Sequence, residues 1–465
     1  MDQPAEPELQ TKPAAPARGM HDMTTGNVRG HVVRMMLFVL AGLAIQTLYG
    51  LVDIFWVGKL GEEAVAAVAL SSNMMFVSLA VTQMLSVGAV ALVSQAAGRK
   101  DNEEVQRLFN QAQSLATAAG VVFLVAGLAL RHTYADALAG DAKTAALSAS
   151  FLALFIPALA LQFTMVGLGS ALRGIGDMKP GLIAQTASVL LNMVLAPFLV
   201  FGWISGHPLG VAGAALATLV STIAAVAGLM VYLARGNTFL RVRFASWAPD
   251  FPVWGKMLGI GLPAGAEFLL MSVIMGVVYL TTRGFGPEAQ AGFGIASRIM
   301  QAGFMPAVAI SFSVAAVVGQ NLGARKYDRV HAVFRESAKL TVGFMLLFTL
   351  VCHVAPERMV QVFTGGAPAI DVGADYLRTV SYNYVASGLV FVIAGIFQGL
   401  GNTWPSLMAS AARAVMFVVP VVWLSKQPGF ELHTIWNFSV ASVTFQFVVC
   451  FLLVRRELRI KAPRT

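Results

Sequence analysis

Two acidic residues, Asp53 and Glu267, interrupt long apolar stretches of this 465-residue chain. An ionisable side chain inside hydrocarbon costs about 2.5–3.5 kcal/mol on insertion scales, so each needs a physical reason to be there. In LAIQTLYGLVDIFWVG, Gln46, Tyr49, Gly50 and Asp53 follow one another at i, i+3, i+4 and i+7, which makes one polar stripe on a helix. Asp53 then either holds a cation or proton, or sits near the outer end of its span where headgroup water wets it. Glu267 follows Pro263 in GIGLPAGAEFLLMSV and falls near mid-depth, with the proline freeing a backbone carbonyl one turn earlier. Three roles fit such a carboxyl: ion pairing with an arginine, loading and releasing a proton, or acting as counter-ion to a cationic substrate.

The embedded cations are Arg298 and Arg413, each able to pair with a carboxylate, snorkel to the interface, or line a cavity. Asn192 and Thr218 are neutral polar groups within spans, where a helix–helix hydrogen bond is the ordinary role. Met271, one turn after Glu267, and Gln301, one turn after Arg298, join Gln46, Tyr49 and Arg298 as candidate cavity residues. The chain holds no GxxxxGK[ST], HExxH, GxSxG or clustered Cys and His, so nucleotide hydrolysis, metal chemistry and nucleophilic catalysis have no residues to carry them. Its two cysteines, Cys352 and Cys450, both lie in apolar stretches.

These residues must be held by membrane-spanning helices. The chain is 57% hydrophobic and 12% charged, where a soluble domain carries roughly 25% charged residues. Apolar runs long enough to cross a bilayer lie near 32–57, 64–93, 109–130, 145–172, 181–204 and 209–234, then near 255–282, 290–318, 334–355, 376–398, 405–425 and 434–454. Lys and Arg are unevenly placed: 23 fall in the two tails and the even-numbered connections and 7 in the odd-numbered ones, which predicts both termini in the cytoplasm. The net charge of +9 reflects those inner loops rather than a nucleic-acid surface.

One offset of 225 residues runs through the sequence. VGKLGEEAVAAVALSS ending at Ser72 matches TRGFGPEAQAGFGIAS ending at Ser297, VSQAAGRKDNEEV ending at Val105 matches VGQNLGARKYDRV ending at Val330, and ALRGIGDMKP ending at Pro180 matches IFQGLGNTWP ending at Pro405. An even number of spans per half makes the halves parallel repeats, an architecture that places a cavity between two lobes. The expected organisation is a cytoplasmic disordered tail over 1–30, an N-lobe over 31–235, a linker over 236–253, a C-lobe over 254–455 and a second tail over 456–465.

LYGLVDIFWVGKLG, GSALRGIGDMKP, LLNMVLAPFLVFG, GVAGAALATLVS, GIGLPAGAEF and AGIFQGLGNTWP, in this order, resemble the multidrug and toxic compound extrusion (MATE) family over roughly residues 31–455. The resemblance implies an all-α membrane protein of about twelve transmembrane helices, a V-shaped pair of six-helix lobes around a central cavity, exporting organic cations against H⁺ or Na⁺. It implies a coupling-ion role for Asp53, for Asn192 and, through the GAA-x-AT pattern, for Thr218. Where many members carry a second Asp on the fifth span this chain has Ala196, and where others carry Tyr and Asp on the tenth it has Asn383 and Ser387. A Na⁺ site on Asp53, Asn192 and Thr218 is therefore poorly supplied, and Glu267 stands in for the C-lobe site from the same helix face.

The expectation is a monomeric, proton-coupled antiporter of amphipathic organic cations in a bacterial inner membrane, with no cofactor, nucleotide or nucleic-acid partner. A flippase for lipid-linked oligosaccharide is the competing transporter reading and asks for a more cationic cavity. A membrane-embedded enzyme, the reading from another class, asks for a catalytic cluster inside the spans.

Overall fold

A computed structural model describes residues 19–463 apart from positions 204, 205 and 237; side chains at positions 51, 53, 54 and 72 also lie outside the described set. The first half contains α1 (Val28–Gly58), α2 (Glu62–Gly98), α3 (Asn102–Leu138), α4 (Ala142–Gly174), α5 (Lys179–Phe201) and α6 (Val211–Ala234). The second contains α7 (Phe251–Thr282), α8 (Pro287–Gly323), α9 (Tyr327–Val354), the short α10 (Pro356–Gln361), α11 (Ala367–Ser381), α12 (Tyr384–Gly399), α13 (Trp404–Leu424) and α14 (Leu432–Lys461). Eleven of the described helices are long and apolar enough to span a membrane, and α11 with α12, bent by 60°, form a twelfth, broken span. Continuous backbone pairing within each helix is what lets such a chain remain in lipid.

Local chemistry sets several helix starts. Asp101, Asp141 and Asp250 each accept a hydrogen bond from a backbone N–H three residues on, capping α3, α4 and α7. The 225-residue offset fixes element ends as well as residues. α2 shifted by that offset is α8, and the ends of α4 fall on the start of α11 and the end of α12. The halves differ inside that last pair. α4 runs unbroken through Pro157, whereas the chain breaks at Tyr382 and Asn383, and Tyr382 is the counterpart of Pro157.

The lobes meet along one end of α2 and α8. From Leu85 to Gly98, α2 is buried apart from the half-buried Leu92 and Gln95, and α8 is buried from Ala309 to Asn321 apart from half-buried Phe312. Nearer their other ends, Val65, Ala66, Ala69, Asn73 and Phe76 of α2 and Ala291, Arg298, Gln301 and Ala302 of α8 are exposed. The lobes therefore close on the side of the termini and part on the other, giving the V.

Glycines permit the close approach. A methyl group on Gly88 would overlap the carbonyl of Met257, and one on Gly261 the carbonyl of Met84. One on Gly98 would overlap the carbonyl of Gln320, and one on Gly323 that of Gln95. The same symmetry governs the glutamines: Gln95 Nε2 donates to Gly399 O at 2.9 Å and Gln320 Nε2 to Gly174 O at 3.1 Å, the two acceptors being repeat counterparts.

Two boundaries differ from expectation, and the linker between the lobes is packed. The tail expected over 1–30 is packed from Gly19 onward: Met23 is fully buried and α1 begins at Val28. The linker is held against α3, with Arg241, Arg243 and Asp250 donating backbone N–H groups to Gln106, Asn110 and Gln111, and Ser114 donating to Trp247 O at 2.7 Å. α14 continues to Lys461, so the C-terminal tail is shorter than 456–465.

The seam gives a test. Gly261→Ala and Gly323→Ala should each lower stability by about 1–3 kcal/mol, because backbone opposes the new methyl. Gly343→Ala, on α9 with open space around it, should be neutral or stabilising by up to about 1 kcal/mol. Thermal melting of the three purified variants in detergent would compare them; equal effects would show that the seam is not tight.

Candidate functional site

The N-lobe site is built where α1, α5 and α6 converge. Tyr49 Oη and Thr218 Oγ1 share a hydrogen bond at 3.1 Å, Asn192 Nδ2 donates to the same Thr218 oxygen at 3.1 Å, and Thr218 Oγ1 donates to Ala214 O at 3.2 Å. Three of the residues singled out from sequence thus form one cluster. Gly213 lets α6 lie on the Leu199 carbonyl of α5, which brings Asn192 and Thr218 together. The backbone of α1 puts Asp53 one turn beyond Tyr49; its side chain lies outside the described residues. Ala196, one turn after Asn192, is 1% exposed, so no second carboxylate reaches this cluster from α5.

The C-lobe site is a chain of polar groups across α7, α13 and α14. Glu267 faces the hydroxyls of Ser406 and Ser410. Gln446 Nε2 donates to Ser410 Oγ at 3.0 Å, and Arg413 Nη1 donates to Gln446 Oε1 at 3.3 Å. Glu267 and Arg413 belong to one network without forming an ion pair: Glu267 Oε1 and Arg413 Nε are both buried without a hydrogen-bond partner. Asn383 and Ser387 take no part. They bond to each other at 3.1 Å, and Asn383 donates to Ser439 O at 3.4 Å.

The two sites are not copies. At the 225-residue offset, Tyr49, Asn192 and Thr218 correspond to Ile274, Phe417 and Val443, the last two buried. Glu267, Ser410, Arg413 and Gln446 correspond to Gly42, Gln185, Ser188 and Ser221, none of them ionisable. Glu267 shares the register of Gly42, so Asp53 lies eleven residues farther along its helix, about 16 Å at 1.5 Å per residue.

The remaining candidates flank the cleft. Arg298 and Gln301 are exposed on α8. They share a helical face with Phe312 and Gly319, which touch Arg173 and Ser94 of the N-lobe where the lobes are closed. That face therefore looks into the gap where the lobes part. No ion pair or hydrogen bond reaches Arg298 among the described residues. Gln46 and Met271 are repeat counterparts and both exposed, and neither is drawn into the two polar clusters.

Sequence reasoning missed Ser406, Ser410 and Gln446, whose signal was only the i, i+4 pair of serines in WPSLMASAAR. It also counted Arg173 among loop cations. Arg173 instead ends α4 at the seam, donates to Ser86 Oγ, and lies 5.4 Å from the Phe312 ring centre of the other lobe. No group of three or more His, Cys, Asp or Glu among the described residues could hold a metal ion.

Residues 39–198 and 263–424 match the MatE family. The "Probable multidrug resistance protein YpnP" of Bacillus subtilis (strain 168) is 26% identical over 421 residues, covering 90% of this chain and 91% of that protein. The "Multidrug export protein MepA" of Staphylococcus aureus (strain MSSA476) is 24% identical, with 88% and 90% covered. Among solved structures, an outward-facing multidrug resistance MATE family transporter of the MOP superfamily superposes with a TM-score of 0.87 at 22% identity, covering 96% of this chain and 98% of that one.

The shared hydroxyl of the N-lobe cluster yields a prediction. Thr218→Val should leave the buried Asn192 amide without its acceptor and cost about 1 kcal/mol. Thr444→Val, which removes an exposed hydroxyl on α14, should leave the melting temperature unchanged. Equal melting of the two variants would show that the cluster holds nothing together.

Proposed function

This chain belongs to the MatE family of membrane transporters, and on that premise we propose that it exports amphipathic organic cations in exchange for H⁺ by alternating access. The observation that carries the reading is Glu267: a carboxyl deep in a helix bundle, flanked by hydroxyls, with one buried oxygen unpartnered and no cation paired to it among the described residues. A buried carboxyl is tolerated when it is neutralised by a proton or paired with a cation, and one group cannot satisfy both at once. Competition between proton and substrate for Glu267, with Asp53 as the N-lobe acid, supplies the coupling. H⁺ is preferred to Na⁺ because Ala196 leaves the N-lobe cluster with one carboxylate, and neutral oxygens supply the rest.

The cleft supplies the path. It opens on the side away from the termini, and the bias of Lys and Arg supports placing the termini in the cytoplasm of a bacterial inner membrane. Met271 and Phe76 are exposed apolar groups of a kind that suits amphipathic cargo. Arg298 favours a second reading, a flippase for an anionic lipid-linked substrate, because an unpartnered cation faces the same gap.

Everted vesicles acidified by respiration separate the two. Ethidium should provoke proton release, read by a quenched pH dye, in wild type, and Glu267→Gln at matched membrane levels should reduce it at least about tenfold. Asp53→Asn would report whether the N-lobe acid shares the load. Release that needs Na⁺ would replace H⁺ with sodium, and no release under any salt or cation would favour the flippase.

A further inference from the structure

The segment just before α1 lies across the seam between the lobes. Its N-lobe end is fixed by His21 N, which donates to Ile175 O at 3.0 Å. Its middle turns at Asp22, whose carboxylate accepts from Thr24 N at 2.8 Å and Thr24 Oγ1 at 2.7 Å. Met23 then inserts fully buried into the core that joins α1, α8, α9 and α12.

The C-lobe holds the segment by its carbonyls. Asn321 Nδ2 donates to Met23 O at 3.2 Å and Lys326 Nζ to Thr24 O at 2.8 Å. Arg329 donates to the carbonyls of Met23, Thr25 and Gly26 at 3.3, 3.2 and 2.9 Å, while its Nε donates to Asn321 Oδ1 at 2.9 Å. One guanidinium thus fastens three carbonyls within four residues and the amide beside them. The segment also engages the seam directly. Met23 N donates to Gln320 Oε1 at 3.0 Å, and Nε2 of the same amide makes the inter-lobe bond to Gly174 O. Both ends of that amide are then committed, so it cannot flip without breaking a bond.

The opposite lobe holds the repeat counterpart of this segment, residues 245–251, by other groups: Gln111 donates to Ser246 O and Ala248 O, and Ser114 to Trp247 O. At the repeat offset Lys326 and Arg329 become Asp101 and Glu104, which cap and start α3 instead. The symmetric seam bond from Gln95 to Gly399 involves no such segment.

We propose that residues 20–26 are a latch that locks the lobes together at the termini side, and that the latch must release each time that side opens. Its bonds join Ile175 of one lobe to Gln320, Asn321, Lys326 and Arg329 of the other, so the lobes cannot separate there while all of them hold. The inference concerns the lobes alone and stands whichever ion or substrate the protein carries.

Spin labels report the opening. Glu103→Cys and Asp328→Cys are exposed counterparts at the first turns of α3 and α9, and Cys352 and Cys450 can be replaced by alanine to leave only these two. Double electron–electron resonance on the full chain in nanodiscs should give one dominant short distance. Arg329→Ala should raise a second, longer-distance population by about tenfold, and Met23→Ser should do the same. Arg329→Lys, which keeps a donor but not the three-way grip, should fall between. Monodisperse elution and an unchanged distance between labels within one lobe, at Glu103 and Lys179, would certify the fold. Variants that melt earlier but keep the wild-type distance distribution would overturn the proposal, reducing the segment to ordinary packing.

Discussion

Everything in this molecule hangs from a contact with almost no side chain in it. Gly88, Gly98, Gly261 and Gly323 bring α2, α7 and α8 so close that backbone faces backbone. Helices surrounded by lipid gain nothing by burying apolar area against each other, so close van der Waals contact and hydrogen bonds must hold them. Small residues provide the first, and Gln95 and Gln320, each reaching a glycine carbonyl across the seam, provide the second. Once that end is closed, long stiff helices diverge from it, and the cleft between the lobes follows from geometry.

The seam kept its symmetry while the interiors of the lobes diverged. Tyr49, Asn192 and Thr218 occupy positions that hold Ile274, Phe417 and Val443 in the second half. A duplication gives each lobe the same helix register, and each register position can then be polar or apolar independently as long as its own neighbours follow. In the C-lobe, Ser410 and Gln446 fill the space between Glu267 and Arg413 with donors and acceptors. Each lobe therefore carries its own chemistry on a common frame.

Much of this frame was legible in the sequence. The 225-residue register was visible in the sequence, and α2 and α8 fall on it from end to end. The polar stripe on α1 was legible from spacing, whereas only the family resemblance set Asn192 and Thr218 in one site with it. Ser406, Ser410 and Gln446 were not legible, since a serine or glutamine in an apolar helix commonly satisfies itself locally. The ordered segment at Met20–Gly26 was hidden for another reason: its composition is that of a tail, and the groups that order it lie about 300 positions away in the chain. The break in the tenth span was likewise invisible, because the proline sits in the half whose helix is unbroken.

Helix length has a consequence for where the molecule is controlled. α2 and α8 are each 37 residues long, about 55 Å of helix against roughly 30 Å of hydrocarbon. Even with some tilt, their last turns stand among headgroups and water, and those turns carry Gln95, Gly98, Gln320 and Gly323. The fastening between the lobes thus sits in the aqueous boundary rather than in the oil. Dissolved ions can reach the rim of that fastening from the side of the termini, while changes in acyl-chain packing bear on the cleft between the lobes.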